Sequence, residues 1–575
     1  AGLQPADELL HLPDEPAGVD NRDQRRLAPE LLHLPDEPAG VRQDQGEREK
    51  RNFKRVYESS PRTPCRSTAQ YMANGPEHKL LLASSEVVGF AKTGGLADVA
   101  GALPRALAGR GWECAIILPL YRGVRAAKVP LEPMALELGI PIGHRIVNGS
   151  LWRSVLPGSQ VPVYLVEQPD YFERDDPDRG RGLYQFTAPG GQKRDYPDNC
   201  ERFIFFSRAV LEAIRLLELR PSILHLNDWQ TGLVPVYLRE MYRKQPLYSR
   251  IRTLFTIHNI AYQGQFWHWD MLLTGLDWKL FNPSQLEFYG QLNLLKAGIV
   301  FSDYISTVSP TYAREIQTPY YGCGLQGVLS ERRERLSGIV NGVDYAIWNP
   351  ATDSRLAANY DANSVTRGKP VCKAALQRRF NLPQEARTPL LGMVARLVEQ
   401  KGVDLVGKAA EALLRKNVQL AVLGEGDRVY HEMLLNLRAR FPDRVGLMIG
   451  FDETLAHQIE AGADIFLMPS FYEPAGLNQL YSIKYGTVPI VRATGGLADT
   501  ITDCTPERLA AGTATGFSFI AYTPAALLET IDRALVLYRQ HPEQWLSLMQ
   551  TGMRQDWSWD RIAVEYEKLY VRINP

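Results

Sequence analysis

The sequence lacks any apolar run long enough to cross a membrane. A bilayer-spanning helix needs about 20 consecutive apolar residues, and no segment of the 575 residues approaches that length. The beginning of the chain also lacks the apolar segment of a secretory signal and the acid-poor, Ser/Arg-rich composition of a transit peptide. We therefore expect an intracellular protein in the cytoplasm, without a membrane partner.

The sequence also has no net charge and no metal-type cysteine pattern. Its 65 basic and 65 acidic residues cancel, so there is no electrostatic reason to expect nucleic acid or an anionic membrane as a partner. No CxxC pair and no His at metal-ligand spacing occurs, which argues against structural zinc and a disulfide framework. The six cysteines are scattered: Cys65, Cys114, Cys200, Cys323, Cys372 and Cys504.

The first 77 residues differ in composition from the rest. They are rich in charged residues, Gln and Pro, and ELLHLPDEPAGV occurs there twice, at Glu8–Val19 and Glu30–Val41. Two copies are fewer than the three or more repeats that a solenoid needs. We expect a disordered tail, with a docking motif as the alternative.

From Lys79 onward the chain alternates short apolar runs with amphipathic helical stretches. LLLASSEV, CAIILPLY, VPVYLVE, ILHLND, TLFTIHN and YISTVS are predicted strands, and LLGMVAR, VQLAVLGEG, VGLMIGF, DIFLMPS and VPIVRA form a second series after a break at Asn341–Pro383. Buried strands that alternate with helices predict a mostly parallel, doubly wound sheet. We expect two Rossmann-like domains, residues 78–340 and 341–555, that face a cleft at the carboxyl ends of their strands.

The hexapeptide TGGLAD occurs in both halves, at Thr93–Asp98 and at Thr494–Asp499. Each copy follows a predicted strand region. Adjacent glycines allow backbone N–H groups to approach a ligand at a helix start, where the dipole favours negative charge. A simple strand-to-helix turn is the alternative.

Basic residues stand beside these turns. Lys92 precedes the first copy and can offer a point charge to a phosphate, with a solvated lysine as the alternative. Arg396 ends a predicted strand and Lys401 lies near the next helix start. A guanidinium and an ammonium that converge on one turn suit a diphosphate leaving group, although a surface pair has the same pattern.

Polar residues follow other strands of both halves. Glu473 comes between the strand DIFLMPS and a Gly476–Leu477 helix start, where it can receive sugar hydroxyls or face an oxocarbenium ion, or merely complement the helix dipole. The other strand-end residues are Asn227 and Asp228 in LHLNDWQ and His258 and Asn259 in TIHNIAYQG. These are expected to project into the same cleft, although a lone buried His is more often a core residue.

Several ordered blocks together resemble the bacterial glycogen synthase and plant starch synthase family. They are KTGGLADV, HLNDWQTGLVPVYL, FTIHNIAYQG, TVSPTYAREIQTP, GIVNGVDYAIWNP, ARLVEQKG and EPAGLNQLYSIKYGTVPIVRATGGLADT. The resemblance runs from about Lys79 to the C-terminus. It implies a GT-B glycosyltransferase that moves glucose from ADP-glucose to the non-reducing end of an α-1,4-glucan with retained anomeric configuration. It also implies no cofactor and no metal, and a last helix, within 556–575, that crosses back to the first domain.

The resemblance assigns roles to individual residues. It implies that Arg396 and Lys401 bind the ADP phosphates and that Glu473 holds the glucosyl unit and stabilises positive charge. It places Asn227 with them as a catalytic residue. The implied substrate-binding residues are Lys92, Gly94, Gly95, Asp98, Asp228, His258, Asn259, Phe451, Gly476, Leu477, Thr494, Gly495 and Gly496. Phe451 would supply an aromatic ring against adenine.

The sequence departs from the family pattern at three positions. Asn227 stands where bacterial members have the inner His of HxHDW, as in plant members, so an imidazole role there is in doubt. Ala475 replaces the usual Cys of EPCGL, which weakens any role for a thiol. Tyr481 stands where related UDP-sugar and GDP-sugar enzymes carry a second Glu, which favours the synthase branch.

Three alternatives stay open at this point. The same fold can use UDP-glucose or a different acceptor. A weakly catalytic protein that binds glucan or starch granules would lack turnover. The compartment can be a plastid stroma instead of the cytoplasm. The expected partners are ADP-glucose, ADP and an α-1,4-glucan or maltooligosaccharide, and the expected oligomeric state is a monomer.

Overall fold

The computed structural model describes residues 78–127, 129–189 and 191–574. The predicted tail, residues 1–77, lies outside the described residues. Two α/β sheets organise the described chain. We call residues 78–340, which hold the first sheet, the first lobe, and residues 341–555, which hold the second sheet, the second lobe.

The first lobe contains fourteen strands among the described residues. They are β1 (Lys79–Ala83), β2 (Glu113–Pro119), β3 (Glu132–Ile142), β4 (Arg145–Val155), β5 (Pro162–Glu167), β6 (Gln185–Thr187), β7 (Lys193–Asp195), β8 (Ile223–Asn227), β9 (Arg252–Ile257), β10 (Gln265–Trp267), β11 (Glu287–Phe288), β12 (Gln291–Asn293), β13 (Tyr304–Thr307) and β14 (Leu336–Gly338). Nine of them form the main sheet, in the order β14-β13-β9-β8-β1-β2-β5-β4-β3. The strands from β14 to β5 in this order are parallel, whereas β3 and β4 form an antiparallel hairpin at one edge.

The second lobe contains one parallel sheet in the part of the chain that the structure describes. Its strands are β15 (Leu390–Val394), β16 (Gln419–Gly424), β17 (Val445–Ile449), β18 (Ile465–Met468), β19 (Val488–Arg492) and β20 (Phe517–Phe519), in the order β17-β16-β15-β18-β19-β20. The sequence-predicted strands of both series are confirmed. The order of the sheet reverses between β15 and β18, which is where open α/β sheets place their ligands.

Helices cover both sheets. Those of the first lobe are α1 (Gly95–Gly109), α2 (Arg122–Ala126), α3 (Pro169–Phe172), α4 (Asn199–Leu216), α5 (Val234–Tyr237), α6 (Met271–Thr274), α7 (Leu294–Phe301), α8 (Pro310–Glu315) and α9 (Gln326–Glu331). Those that follow are α10 (Val365–Arg379), α11 (Val403–Leu414), α12 (Arg428–Arg440), α13 (Glu453–Gly462), α14 (Asn478–Lys484), α15 (Gly495–Thr500), α16 (Pro506–Ala510), α17 (Pro524–Gln540), α18 (Pro542–Met553) and α19 (Trp559–Ile573). Both TGGLAD copies therefore open a helix, α1 and α15.

The last helix, α19, packs into the core of the first lobe. It buries Tyr566 and Tyr570 among the apolar residues of that lobe. The Tyr570 hydroxyl lies 2.8 Å from Nδ1 of the fully buried His225, whose Nε2 lies 2.6 Å from Thr256 Oγ1. The predicted return of the chain to the first domain is confirmed, and His225 is a structural residue that joins α19 to β8.

Apolar residues dominate the buried positions of the parallel strands. All five residues of β8 and all six of β16 are buried, as expected for strands covered by helices on both faces. In the residues that the structure covers, no helix has both the length and the apolar composition of a membrane crossing.

Candidate active site

The predicted polar residues lie at the carboxyl ends of parallel strands. Asn227 is the last residue of β8, and His258 directly follows β9, its parallel neighbour. The carboxyl ends of parallel strands meet at one edge of a sheet, so these side chains lie together. Glu473 follows β18 in the second lobe in the same way. Each lobe therefore presents its candidate site residues at the edge where such folds bind ligands.

Asn227, Asp228 and His258 form one hydrogen-bonded cluster. The Asn227 amide oxygen lies 2.9 Å from His258 Nε2, and its Nδ2 donates to the Ala83 carbonyl over 3.1 Å. The His258 backbone N–H donates to Asp228 Oδ1 over 2.7 Å. Asn227 is fully buried. It therefore orients the His258 ring.

Desolvation controls the charge state of this cluster. Removal from water lowers the pKa of His258 to about 3, so its ring is neutral at physiological pH. The same effect raises the pKa of Asp228 to about 7, although backbone N–H groups of His258 and Asn259 oppose it. Asp228 also has a left-handed backbone, with φ of 55°, a conformation that costs about 1–3 kcal/mol in a non-glycine residue. Strain of this kind is typical of functional positions.

Replacing Asp228 with Asn should change how stability depends on pH. The pKa of a carboxyl group in the unfolded chain is about 3.9, whereas that of Asp228 in the folded protein is about 7. Between these values the folded state holds a proton that the unfolded state releases, so this group lowers stability as the pH rises. We expect the free energy of unfolding of the wild type to fall by about 2 kcal/mol between pH 5 and 7, relative to that of Asp228→Asn. Urea unfolding at both pH values measures it, and parallel profiles for the two proteins would contradict it.

Glu473 and Lys401 form a nearly buried ion pair in the second lobe. Lys401 Nζ lies 2.6 Å from Glu473 Oε2, and their side chains are 19% and 6% exposed. The Ser470 hydroxyl donates to the same carboxylate oxygen over 3.0 Å. The Lys401 ammonium and the Ser470 hydroxyl together fix the position of the Glu473 carboxylate. The structure thus brings together two residues that lie 72 positions apart in the chain.

The second TGGLAD turn packs against the backbone that carries Glu473. A Cβ on Gly495 would lie 1.9 Å from the Glu473 carbonyl oxygen, and one on Gly496 would lie 2.0 Å from that of Ala475. Gly495 is also left-handed, with φ of 44°. The Gly496 N–H donates to the Glu473 carbonyl over 3.1 Å. These glycines permit a close contact that positions Glu473, and the ligand contact predicted for them and Thr494 stays a prediction.

The first TGGLAD turn has a different environment. A Cβ on Gly94 or Gly95 would meet no atom within 4 Å, so these glycines border open space. The Gly94 N–H donates to the Glu86 carboxylate over 3.2 Å, as does the hydroxyl of Thr93 over 2.6 Å. The start of α1 therefore already holds an anion that the protein supplies.

Lys92 and Asp98 flank the first turn and form an ion pair. Lys92 Nζ lies 2.7 Å from Asp98 Oδ1, and half of the lysine side chain is exposed. Burial raises the pKa of Asp98 against the opposing effect of Lys92, and Asp344 and Glu453 of the second lobe raise it further. The first turn therefore faces the second lobe.

Two carboxylates join the lobes through the ends of α8 and α15. Asp499 accepts hydrogen bonds at the start of α8, from the Thr311 N–H over 2.9 Å, the Thr311 hydroxyl over 2.6 Å and the Ser309 hydroxyl over 2.5 Å. Glu315, at the end of α8, accepts from the Gly495 N–H and the Thr494 hydroxyl at the start of α15. Each helix start thus receives a carboxylate from the other lobe, which is favourable for its dipole.

Replacing Asp499 with Asn should weaken this contact between the lobes. Hydrogen bonds to a charged group contribute about 1.5–3 kcal/mol, so we expect the free energy of unfolding to fall by about 2 kcal/mol. Urea unfolding measures it. The matched control is Asp532→Asn, which removes an exposed acid that pairs with Lys416 within the second lobe and should cost less than about 1 kcal/mol. Equal losses in the two variants would contradict the prediction.

The remaining predicted residues lie at the same edges but make few contacts. Arg396 is exposed, with one long bond of 3.4 Å to Gln400. Phe451 follows β17 and is 86% exposed. Gly476 and Leu477 are half-buried at the start of α14. Asn259 bonds to the side chain of Tyr472, which precedes Glu473, so the two lobes meet beside Glu473.

Sequence reasoning missed several residues of the site. Glu86 and Glu315 bind the two TGGLAD turns, and Ser470 bonds to Glu473. Glu86 lies seven positions before Thr93, so a carboxylate near the turn was a visible signal. Glu315 had none, because it lies 180 positions from Gly495.

Tyr481 has a structural contact that explains its presence. Its ring stacks on Trp348 with centroids 3.8 Å apart, and His457 stacks on the other face of Trp348 at 3.7 Å. Tyr481 therefore packs as part of a three-ring stack.

No set of three or more His, Cys, Asp or Glu side chains within residues 78–127, 129–189 and 191–574 is placed to hold a metal ion. The anions that the described residues bind are protein carboxylates, at the two TGGLAD turns and at Lys401.

Comparison with known proteins shows which family the chain belongs to. The model of the starch synthase catalytic domain matches residues 79–331, and that of glycosyl transferases group 1 matches residues 376–545. Glycogen synthase from Syntrophotalea carbinolica is 48% identical over 85% of this chain and 98% of its own length. Glycogen synthase 1 from Methylococcus capsulatus is 47% identical over 86% of this chain and 96% of its own length.

Solved structures agree with these relatives. The catalytic domain of starch synthase IV from Arabidopsis thaliana, bound to ADP and acarbose, has a TM-score of 0.77 and 33% identity, and covers 86% of this chain and 99% of its own. Sucrose-phosphate synthase from Thermosynechococcus elongatus, at 17% identity and a TM-score of 0.52, shares the fold. These relatives agree with the two lobes and with the pair of Lys401 and Glu473 at the strand edge. The chain is therefore a GT-B glycosyltransferase that belongs to the glycogen and starch synthase family.

Proposed function

We propose that this glycosyltransferase moves glucose from ADP-glucose to the non-reducing end of an α-1,4-glucan, with retention of the anomeric configuration. The observation that carries the proposal is the ion pair of Lys401 and Glu473, nearly buried at the edge of the sheet. The carboxylate can face the positive charge that develops at the anomeric carbon. Lys401 and Arg396 can receive the charge of the departing diphosphate.

The proposed step breaks one bond and forms one. The bond between the glucose anomeric carbon and the diphosphate oxygen breaks, and the 4-hydroxyl oxygen of the glucan bonds to that carbon. The hydroxyl proton passes to the departing diphosphate, so the products are ADP and a chain longer by one glucose. Neutral His258, Asp228 and Asn259 would bind sugar hydroxyls, and Lys92 with the Gly94–Gly95 turn would border the donor.

The choice of ADP-glucose rests on three supports. The starch synthase IV structure, similar to this chain, is bound to ADP. Phe451 offers an exposed ring on which adenine can stack. Tyr481 stacks on Trp348. Its position therefore supplies no carboxylate for a ribose, unlike the corresponding position in UDP-sugar and GDP-sugar enzymes.

We further propose that the reaction needs no metal or other cofactor, because Arg396, Lys401 and the start of α14 can stabilise the departing charge. A monomer in the cytoplasm remains the proposed state of the protein.

Initial rates with two donors test the proposal. Purified protein with a maltooligosaccharide and EDTA should extend the chain at least about tenfold faster from ADP-glucose than from UDP-glucose. Proton NMR of the product should show only new α-linkages. Faster transfer from UDP-glucose would overturn the donor assignment, and glucan binding without turnover would identify a binding protein.

A further inference from the structure

A cavity of about 540 Å³ opens in the first lobe, away from the active site. Two of its lining residues, Ser302 and Asp303, directly precede β13. Asn227 and His258, by contrast, lie at the carboxyl ends of β8 and β9, which run parallel to β13. The cavity and the active site therefore lie at opposite edges of the same sheet.

Four arginines line this cavity, and they come from two irregular turns. Arg239 lies on a π-helical turn, Leu238–Tyr242, and Arg243 directly follows it. Arg332 directly precedes the 3₁₀ turn that follows α9, and Arg335 is the last residue of that turn. Turns of the π type occur frequently at functional sites. The single carboxylate in the lining belongs to Asp303, so the local charge is four positive against one negative.

One of the arginines has a clear structural role. Arg332 donates to the carbonyls of Ile299 over 2.6 Å and of Ser302 over 2.6 Å at the end of α7. It therefore caps that helix, where a cation is favourable for the dipole. Desolvation lowers the pKa of Arg332, and the charges of Arg335 and Arg239 lower it further. Arg335 and Arg239 thus repel Arg332, and the Asp303 carboxylate offsets part of that repulsion.

Of the other three arginines, Arg243 has a long ion pair with Asp303, whereas Arg239 and Arg335 have no carboxylate partner among the described residues. Arg239 lies over the ring of Phe301, 5.6 Å from its centroid. Arg243 lies 3.7 Å from Asp303 Oδ1, and the other oxygen of that carboxylate accepts from Thr253. Arg335 donates to the Asp303 carbonyl over 3.3 Å. Their guanidinium groups retain donors that can bind an anion.

The hydroxyl of Ser302 is a second, independent sign of a ligand. Ser302 is only 3% exposed and lines the cavity, and its Oγ has no hydrogen-bond partner within the described part of the chain. A buried polar group without a partner costs about 1–3 kcal/mol, and such groups are rare in folded proteins. The Oγ itself is closed to solvent, so a ligand oxygen in the cavity would satisfy it once the Ser302 side chain turns toward the cavity.

We propose that this cavity binds a small phosphate ester of sugar size, with its phosphate on Arg239, Arg243 and Arg335 and a ligand oxygen on Ser302. Guanidinium groups bind phosphate through paired N–H donors, and several of them around one site select a multiply charged anion. The volume lies within the range of small-molecule sites and exceeds what inorganic phosphate fills. The site is separate from the donor cleft and does not depend on the donor that the enzyme uses.

Isothermal titration calorimetry tests this site. Ribose 5-phosphate, inorganic phosphate and neutral ribose are titrated into the full chain at fixed ionic strength, with ADP in excess to fill the donor cleft. We expect ribose 5-phosphate to bind in a 1:1 ratio and ribose not to bind. Equal affinity for inorganic phosphate would identify free phosphate as the source of the anion, and tighter binding of the ester would identify a metabolite. No binding of either anion up to about 10 mM would overturn the proposal.

Three variants assign the binding to the cavity. Arg239→Gln with Arg243→Gln should weaken affinity at least about tenfold, whereas Arg428→Gln, which alters a 90% exposed arginine on α12, should leave it unchanged. Ser302→Ala should weaken binding several-fold without lowering the melting temperature of the unliganded protein, because the hydroxyl that it removes has no partner. Unchanged affinity in the double arginine variant would overturn the proposal, even if the anion binds.

Discussion

Glu473→Gln should lower kcat for glucosyl transfer by about 10³-fold while the protein remains folded. Glutamine keeps the size of the side chain but removes the negative charge that faces the anomeric carbon in the proposed transition state. Loss of one preorganised electrostatic contact of this kind costs about 10²–10³ in rate. The loss of the ion pair with Lys401 lowers the rate further. Steady-state kinetics with ADP-glucose and a maltooligosaccharide measure the effect.

The matched control for Glu473 is Asp404, a second carboxylate that pairs with a lysine in the same lobe. Asp404 Oδ2 lies 2.9 Å from Lys408 Nζ. Asp404→Asn should retain kcat within about twofold. If Glu473→Gln also retained kcat, the assignment of Glu473 as the residue that stabilises positive charge would be wrong. A melting temperature near that of the wild type must accompany the loss, so that unfolding is not its cause.

Lys401→Gln should lower kcat/KM for ADP-glucose by about 10²–10³-fold. The ammonium lies 2.6 Å from Glu473 and is four-fifths buried, so it acts in a site with little water, where charge is effective. Its removal takes away a donor for the departing diphosphate. Among the described residues, the Glu473 carboxylate then keeps only the hydrogen bond from the Ser470 hydroxyl. ADP inhibition should weaken in parallel, because ADP carries the same diphosphate.

Lys408→Gln is the control for Lys401. Lys408 is 64% exposed on α11 and pairs with Asp404, so its loss should leave kcat/KM within about twofold. The double variant of Lys401 and Glu473 should lose less activity than the product of the single losses, because the two side chains act as a unit. Independent, multiplicative losses would contradict the pairing.

The main strands of both sheets could be predicted from the sequence because their apolar runs are continuous. The hairpin of β3 and β4 was missed for a physical reason. It lies at the edge of the first sheet, and its residues alternate between exposed and buried positions, so no continuous apolar run marks it. The return of α19 was predicted from the family resemblance, whereas its contact with His225 depends on residues 345 positions apart.

The candidate site residues were predicted individually, but their pairings were not. A sequence places Lys401 and Glu473 each at a strand end, yet only the fold brings the ammonium to the carboxylate. The contacts of Asp499 with α8 span 190 residues, and no local pattern indicates them. Asn227 was predicted as a catalytic residue, which stays a prediction, and the structure adds a contact with His258 that orients that ring.

The repeated hexapeptide has two different environments. The glycines of the first copy border open space, whereas those of the second allow the backbone of Glu473 to pass within van der Waals contact. The last residue differs too, because Asp98 pairs with Lys92 and Asp499 bonds to the other lobe. Identical sequences therefore form an open turn that faces the second lobe in one case and a packing contact in the other.

The most direct test of the catalytic assignment follows ADP release and glucan chain length together in the wild type and in Glu473→Gln, with ADP-glucose, a short maltooligosaccharide and EDTA. We expect the wild type to release one ADP for each glucose added. We expect Glu473→Gln to lose both signals by about 10³-fold while it still binds ADP. Chain growth at the wild-type rate in Glu473→Gln, or no ADP release by the wild type, would contradict it.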